Sequence, residues 1–188
     1  MTSSPPLRGT RAAPGSLGGP AEPDGLGRFN SAPERAAGAA LHAICASTAW
    51  RDALLGGRPY PTADGLLAAG DAATAALTAG DLAEALAGHP PIGRPEPGDP
   101  VSAREQRGLA GASDALRAEL LELNRAYQEK FGHVLLIRAT GRTAEQLRDA
   151  ARARVGHSPE QERAIVRTEL AGINRIRLTR LLGSVPEG

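Results

Sequence analysis

A shortage of aromatic side chains is the feature that most restricts how this chain can fold. Aromatic residues make up 3% of the 188 residues, with one Trp, two Tyr and two Phe. The core must therefore be built from Leu, Ile, Val and Ala. Because sheets draw on β-branched and aromatic residues while Ala and Leu favour helices, this composition predicts an all-α fold. No segment alternates apolar and polar residues with the period of a half-buried strand.

Signals for the start of a helix recur along the chain and support that prediction. Capping-box spacing, with Ser, Thr or Asp three residues before Glu or Gln, occurs at Ser31/Glu34, Asp81/Glu84, Ser102/Glu105, Thr143/Gln146 and Ser158/Gln161. Apolar spacing, with or without such a start, predicts helices over residues 31–46, 48–55, 62–79, 81–87, 102–130, 143–155 and 158–182. The apolar run Val134–Ile137 does not follow the helical pattern and could be a short extended piece.

Length and composition predict one compact multi-helix domain with a tail at each end. A typical domain has roughly 150 residues, so 188 residues suffice for one domain and a tail. Residues 1–27 are rich in Pro, Gly and Ser and hold too few apolar side chains to order themselves, which predicts a disordered tail. The helical domain is expected over 28–183, and residues 184–188 form a short C-terminal tail.

The charge balance and the apolar runs exclude several classes of protein. A formal net charge of +1 excludes a strong non-specific binder of nucleic acid or a polybasic membrane binder. No apolar run reaches the roughly 20 residues of a membrane span, and the first residues lack the apolar region of a signal peptide. We therefore expect a cytoplasmic protein that contacts neither nucleic acid nor membrane.

Cysteine and histidine usage predicts a protein without a metal site. Cys45 is the single cysteine, so neither an intrachain disulfide nor a zinc ribbon can form. His42, His133 and His157 show no pair at metal-ligand spacing on one helix. The expectation is a site without metal.

The loop over residues 88–101 is the first candidate for function. Its five prolines and three glycines exclude a helix and stiffen the backbone. His89 precedes Pro90, which biases it toward extended backbone, and histidine is the side chain best suited to proton transfer near neutral pH. The alternative is an ordinary loop histidine that hydrogen-bonds a neighbouring carbonyl.

Glu105 has two interpretations. It completes a capping box with Ser102, and it also begins the helical stripe that continues through Leu109, Ala112 and Leu116. The first interpretation makes it a structural cap, whereas the second turns its carboxylate toward the interior. The two roles compete for the same carboxylate.

Arg177 lies within an apolar stripe of the last predicted helix. Leu170, Ile173, Arg177 and Leu181 are spaced by three, four and four residues. A guanidinium placed among apolar side chains must be paired, because its desolvation is costly. Its partner could be an internal carboxylate such as Glu105, or an anionic substrate, since the planar fork of arginine suits either.

Four strings occur together in this order: GHPPIG, SAREQ, KFGHVLLIRATGR and E-x-x-x-INRIRL. Together they resemble the 2-oxo-4-hydroxy-4-carboxy-5-ureidoimidazoline (OHCU) decarboxylase family, over residues 29 to 182. The resemblance implies an all-helical homodimer, a carboxy-lyase of urate degradation that converts OHCU to (S)-allantoin. It implies no cofactor.

The resemblance also implies roles for individual residues. His89 matches the catalytic histidine, and Glu105 and Gln106 match a catalytic and a binding residue. The remaining matches are substrate-binding positions: Pro90, Ser102, Leu135, Leu136, Ile137, Arg138, Ala139 and Arg177. The backbone of 135–139 would contact the ureido and ring amides of the substrate.

Two other functions stay open from the sequence. A non-catalytic helical interaction module would explain the capping boxes but not the arginine in an apolar stripe or the rigid His-Pro loop. A family relative that acts on another small ureide or carboxylated heterocycle is the second. It is favoured by two departures from the family pattern, Pro91 where Arg is common and Arg138 where Cys is frequent.

Overall fold

The structure, a computed structural model, describes residues 24–89, 91–92, 109 and 111–183. In these ranges all regular elements are helices, which confirms the all-α prediction. The elements are α1 (Gly25–Ser31), α2 (Glu34–Ile44), α3 (Thr48–Gly56), α4 (Ala63–Ala76), α5 (Ala79–Ala87), α6 (Asp114–Phe131), α7 (Ala144–Val155) and α8 (Pro159–Leu181).

Capping side chains set the starts of several helices. The predicted boxes at Thr143 and Ser158 are confirmed, each with reciprocal side-chain and backbone hydrogen bonds. Asp81 was predicted to begin a helix, but it is the third residue of α5. The Thr78 side chain accepts from the Asp81 amide, and the Asp81 carboxylate accepts from the Thr78 amide at 2.9 Å. Thr78, the residue immediately before Ala79, is therefore the N-cap, and the helix starts upstream of the predicted position.

The predicted box at Ser31 and Glu34 is wrong. Ser31 is the last residue of α1, and its hydroxyl donates to the Gly27 carbonyl at 2.8 Å instead of capping α2. Pro33 occupies the N-cap position of α2 without a side-chain hydrogen bond. The residue spacing fits a capping box, but the Ser31 hydroxyl already forms a hydrogen bond within α1.

Helix α1 begins at Gly25, within the segment that was expected to be a tail. Residues 24–27 were assigned to the tail, yet the Asp24 carboxylate accepts from the Gly27 amide at 2.6 Å and caps α1. A Cβ at Gly25 would overlap the carbonyl of Leu182, so glycine allows α1 to approach the end of α8. Phe29 is buried, which supplies the apolar contact that stabilises this short helix. The rest of the predicted tails, 1–23 and 184–188, lies outside the described residues.

The predicted single helix over 102–130 is also wrong. Helix α6 begins at Asp114, where the Ser113 side chain accepts from the Leu116 amide at 3.2 Å. Residues 111–113 are not helical. The stripe from Glu105 to Leu116 therefore does not lie on one continuous helix. The predicted box at Ser102 and Glu105 lies outside the described residues.

Two clusters of buried apolar side chains form the core. The first joins α1–α5 to α8, and its most deeply buried members include Leu41, Trp50, Leu54, Leu66, Leu170 and Leu178. The second lies between α6 and α7 and includes Leu120, Tyr127, Leu147 and Ala151. A hydrogen bond from Trp50 Nε1 to the Gly70 carbonyl, 3.1 Å long, satisfies the one polar atom of the largest core side chain.

The non-helical segment 134–139 connects the two clusters. The Leu136 side chain belongs to the first cluster, whereas Leu135, Ile137 and Ala139 belong to the second. Side chains that alternate in direction are the pattern of extended backbone. This segment therefore lies between the two halves of the core, with α8 on one side and α6 and α7 on the other.

We expect Leu170→Ala to lower the free energy of unfolding by about 2–5 kcal/mol, because Leu170 is fully buried where α8 meets the first cluster. Urea unfolding measures the change. The matched control is Leu121→Ala, since Leu121 is the exposed leucine of α6 and its loss should cost less than about 0.5 kcal/mol. An equal loss of unfolding free energy in the two variants would show that the first cluster is not the core.

Candidate active site

His89 lies directly after α5, where that helix stops. The helix is closed by Gly88, and the His89 amide donates to the Leu86 carbonyl at 3.1 Å. The residue is buried, with 9% of its surface exposed. A histidine held at a helix end and shielded from water is well placed for proton transfer, because its backbone position is set by the helix.

Arg177 lies at the edge of the buried face of α8 and not at its centre. The buried residues of that helix are Glu162, Val166, Leu170, Ile173, Asn174 and Leu178. Arg177 is half-buried, and its Nη1 donates to the Ile44 carbonyl at 2.8 Å. The predicted stripe is therefore rotated by about one residue, and Arg177 borders both the core and the surface. Pairing with Glu105 is not described, because Glu105 lies outside the described residues.

His89 and Arg177 approach the same short connection between α2 and α3. A Cβ at Gly88, next to His89, would lie 2.8 Å from the Ala46 Cβ, so the end of α5 packs against this connection. Arg177 binds the carbonyl of Ile44, the last residue of α2, where this connection begins. Residues 133 positions apart in sequence, Ile44 and Arg177, are thus brought together on one side of the fold.

Cys45, in that connection, is a buried thiol and not a nucleophile. It is 1% exposed and ends α2. Burial raises the pKa of the Cys45 thiol, although the nearby Arg177 charge acts in the opposite direction. A raised pKa keeps the thiol protonated and unreactive, which agrees with its predicted core position.

Three backbone groups of 135–139 already bond to the protein, one of them the Ala139 carbonyl, which accepts from the Arg142 amide at 3.0 Å. The Arg138 amide donates to Glu169 Oε2 at 2.7 Å, and the Leu136 carbonyl accepts from Arg154 Nη1 at 2.5 Å. The Arg138 side chain is exposed and lies across Gly172 of α8. A substrate amide that binds to this segment must therefore pair with other backbone groups of 135–139.

A sequence model of the OHCU decarboxylase family matches residues 30–179. The chain belongs to this family. Membership confirms the predicted enzyme class, a carboxy-lyase that decarboxylates OHCU. None of the curated protein sequences matches the chain.

Two solved structures share the fold of this OHCU decarboxylase family member. A crystal structure of OHCU decarboxylase in the presence of (S)-allantoin is 23% identical, with a TM-score of 0.69, and the match covers 81% of this chain and 99% of that one. A crystal structure of (S)-allantoin synthase is 21% identical, with a TM-score of 0.65, covering 84% of this chain and 54% of that one. At these identities the likeness establishes the fold, which agrees with the family match.

Four predicted site residues of the OHCU decarboxylase family lie outside the described residues: Pro90, Ser102, Glu105 and Gln106. The described members of the predicted site are His89, which follows the end of α5, the segment 135–139 after α6, and Arg177 on α8.

None of the helices in the described part of the chain is long and apolar enough to span a membrane. Within the same ranges, no three His, Cys, Asp or Glu side chains cluster closely enough to hold a metal ion.

Sequence reasoning missed Asn124, which secures the chain just beyond His89. Asn124 lies on α6, is 8% exposed, and donates from Nδ2 to the Ile92 carbonyl at 2.6 Å. Ile92 is three residues after His89, so this hydrogen bond ties the start of the His-Pro loop to the second cluster. The signal in the sequence was an asparagine at an inward position of an otherwise apolar stripe, between Leu120 and Tyr127.

A second group that the sequence did not reveal is a buried ion pair between α7 and α8. Arg154 and Glu162 are 5% and 1% exposed, and Arg154 Nε donates to Glu162 Oε1 at 2.8 Å. The Tyr127 hydroxyl donates to the same oxygen at 2.6 Å, and His157 Nδ1 lies 3.0 Å from Oε2. The Glu162 carboxylate thus has partners from α6, from α7 and from the turn after α7.

The charge state of this pair follows from its contacts. Burial acts to raise the pKa of Glu162, but hydrogen bonds from Arg154 and Tyr127 outweigh it, so the pKa lies below its ordinary value. Burial, and then the hydrogen bond to Glu162, raise the pKa of Tyr127. At neutral pH, Glu162 is therefore ionised and Tyr127 is a protonated donor.

Proposed function

We propose that this chain converts OHCU to (S)-allantoin without a cofactor, with His89 as general acid/base. The observation that carries the proposal is the family match over residues 30–179, which spans almost the whole helical domain. The position of His89 supports its role, because it is buried at a helix end beside the connection that Arg177 also contacts. The relatives named above, one an OHCU decarboxylase and one an (S)-allantoin synthase, are consistent with this substrate and product.

The substrate itself supplies the electron sink for the reaction. When the bond between the ring carbon and the carboxylate breaks, CO2 leaves and the bonding electron pair moves toward the adjacent ring C=N bond. No cofactor is needed to hold that pair. The protein has to orient the carboxylate, move the proton of the neighbouring hydroxyl and deliver a proton to one face only. His89 would carry out the proton transfer.

The other predicted residues take positioning roles in this proposal. Glu105 orients His89 or the substrate, and Gln106 binds an amide, both as the family resemblance implies. Arg177 binds the anionic group, since a half-buried guanidinium fork suits a carboxylate. Backbone groups near Ile137 form hydrogen bonds with the edges of the substrate ring, and Pro90 and Ser102 line the pocket.

The proposal includes two properties that were expected from the sequence. The chain acts as a homodimer, as the family resemblance implies, and it works in the cytoplasm on a small molecule. Sedimentation of the purified protein measures the first: a particle of twice the 19.4 kDa chain mass is expected.

Turnover of freshly generated OHCU tests the proposed function. Urate oxidase and hydroxyisourate hydrolase produce OHCU from urate in the cuvette, and circular dichroism follows the product. With the chain present we expect a rapid, lasting signal of (S)-allantoin. Without it, OHCU decays to a racemate that has no final signal.

The outcome separates this proposal from its alternatives. A racemic product at the uncatalysed rate would refute the decarboxylase proposal and favour an interaction module. Consumption of a different ureide or carboxylated heterocycle, with OHCU untouched, would identify a family relative with altered specificity.

A further inference from the structure

The guanidinium of Arg154 makes contacts in two directions. Its Nε and Nη2 donate to Glu162 Oε1, and its Nη1 donates to the Leu136 carbonyl at 2.5 Å. The first direction crosses from α7 to α8. The second ends on the backbone of the segment 134–139, which has no helical hydrogen bonds of its own.

The orientation of Arg154 is held from three sides. Glu162 Oε1 also accepts from the Tyr127 hydroxyl, and the guanidinium carbon lies 5.7 Å from the centre of the Tyr127 ring. His157 approaches the other carboxylate oxygen. These groups come from two other helices, α6 and α8, and from the turn after α7, so they restrict the orientation of the guanidinium and of the carbonyl that it binds.

A contribution to stability alone does not explain this arrangement well. A buried ion pair often adds little net stability, because desolvation of two charges offsets their attraction. In proteins generally, apolar residues of similar volume can replace such a pair without loss of stability. The extra feature of the arginine is the donor that reaches Leu136, and arginine alone can bind a carboxylate and a carbonyl in fixed directions with one planar group.

We propose that Arg154 is a positioning residue for the reaction, holding the Leu136 carbonyl so that the neighbouring backbone groups of 135–139 face the substrate in one register. This inference rests on the proposed function. It adds to the predicted site a buried pair, Arg154 and Glu162, that touches no substrate. The Leu136 carbonyl and the Arg138 amide are then both fixed by protein, by Arg154 and Glu169, and Ile137 lies between them.

The test compares two arginine-to-lysine variants on the same helix. Arg154→Lys keeps a positive charge beside Glu162, but an ammonium cannot reach both the carboxylate and the Leu136 carbonyl. Arg152→Lys is the matched control, since Arg152 is two residues away, exposed, and paired with Glu119 on α6. We expect Arg154→Lys to raise the KM for OHCU about tenfold with a much smaller change in kcat, and Arg152→Lys to leave both unchanged.

Amide hydrogen exchange provides a readout that needs no substrate. In Arg154→Lys, exchange in residues 134–139 should become faster than in the wild type, while exchange in α2 and α4, which hold no partner of Arg154, stays unchanged. An unchanged KM together with unchanged exchange in 134–139 would overturn the proposal. If the wild-type chain does not decarboxylate OHCU, the proposed function fails, and the exchange result still decides whether Arg154 orders the segment.

A second variant guards against misfolding. Arg154→Gln combined with Glu162→Gln removes both charges, so no unpaired ion is left in the core. It should fold and show the same rise in KM. Failure of both variants to fold would also overturn the proposal, because the pair would then be required for the fold and not specifically for the register of 135–139.

Discussion

Replacing His89 with alanine is expected to lower kcat for OHCU by roughly a hundred- to ten-thousand-fold, the usual contribution of a general acid/base. The imidazole is the one group in our proposal that exchanges a proton with the substrate hydroxyl. Stopped-flow absorbance with freshly generated OHCU measures the rate, and circular dichroism measures the fraction of (S)-allantoin. In the variant the product should approach the racemate, because uncatalysed decay competes with what remains of the enzymatic reaction.

The control for this variant is His42→Ala. His42 is exposed on α2 and is not part of the predicted site, so its loss should change neither kcat nor product stereochemistry. The helical circular dichroism of both variants should match that of the wild type, because His89 follows a helix that Gly88 already closes. A His89→Ala variant that is folded and still forms (S)-allantoin at the wild-type rate would remove His89 from the mechanism.

Local helix signals predicted those helices whose cap is not contested. Thr143 and Ser158 have no nearby competitor, and both capping boxes are present as predicted. Asp81 and Ser31 show the limit of the same rule. Thr78 captures the cap of α5, and Ser31 is engaged by the helix before it, so identical spacing leads to different structures. Which of two adjacent caps prevails depends on packing that the local pattern does not contain.

The start of α6 could not be read from apolar spacing alone. Leu109, Ala112 and Leu116 have helical spacing, and all three contribute to the second cluster or pack against it. Leu109 and Ala112 do so from before α6 and Leu116 from within it, since residues 111–113 are not helical and Ser113 is the cap. Burial of apolar side chains at periodic positions thus does not require a continuous helix.

Long-range polar contacts were the part of the site least accessible to prediction. Arginine is common throughout the chain, so Arg154 does not stand out by residue type. None of its neighbours in the sequence marks it as buried. Its partners Tyr127 and Leu136 come from other elements, so the contacts exist only after the helices pack. Arg177 was recognised because an apolar stripe surrounds it, although the structure places it at the edge of that stripe.

Replacing Arg177 with alanine is expected to raise the KM for OHCU by roughly ten- to a hundredfold, since a hydrogen bond to a charged group contributes about 1.5–3 kcal/mol. The affinity for (S)-allantoin, which lacks the carboxylate that is lost as CO2, should fall less. Steady-state kinetics and calorimetric titration with (S)-allantoin measure the two effects. Arg175→Ala is the matched control, because Arg175 is on the same helix but exposed, in an ion pair with Asp71, and its loss should leave KM unchanged.

Arg177→Lys separates charge from geometry at this position. The lysine keeps a cation near the Ile44 carbonyl but loses the planar fork, so we expect an intermediate KM if Arg177 binds a carboxylate with two donors. A purely structural role for Arg177 predicts a different pattern. Loss of the hydrogen bond to Ile44 would then lower the melting temperature of Arg177→Ala while KM stays at the wild-type value. A rise in KM without that loss of stability assigns the guanidinium to the substrate, and the reverse assigns it to the connection between α2 and α3.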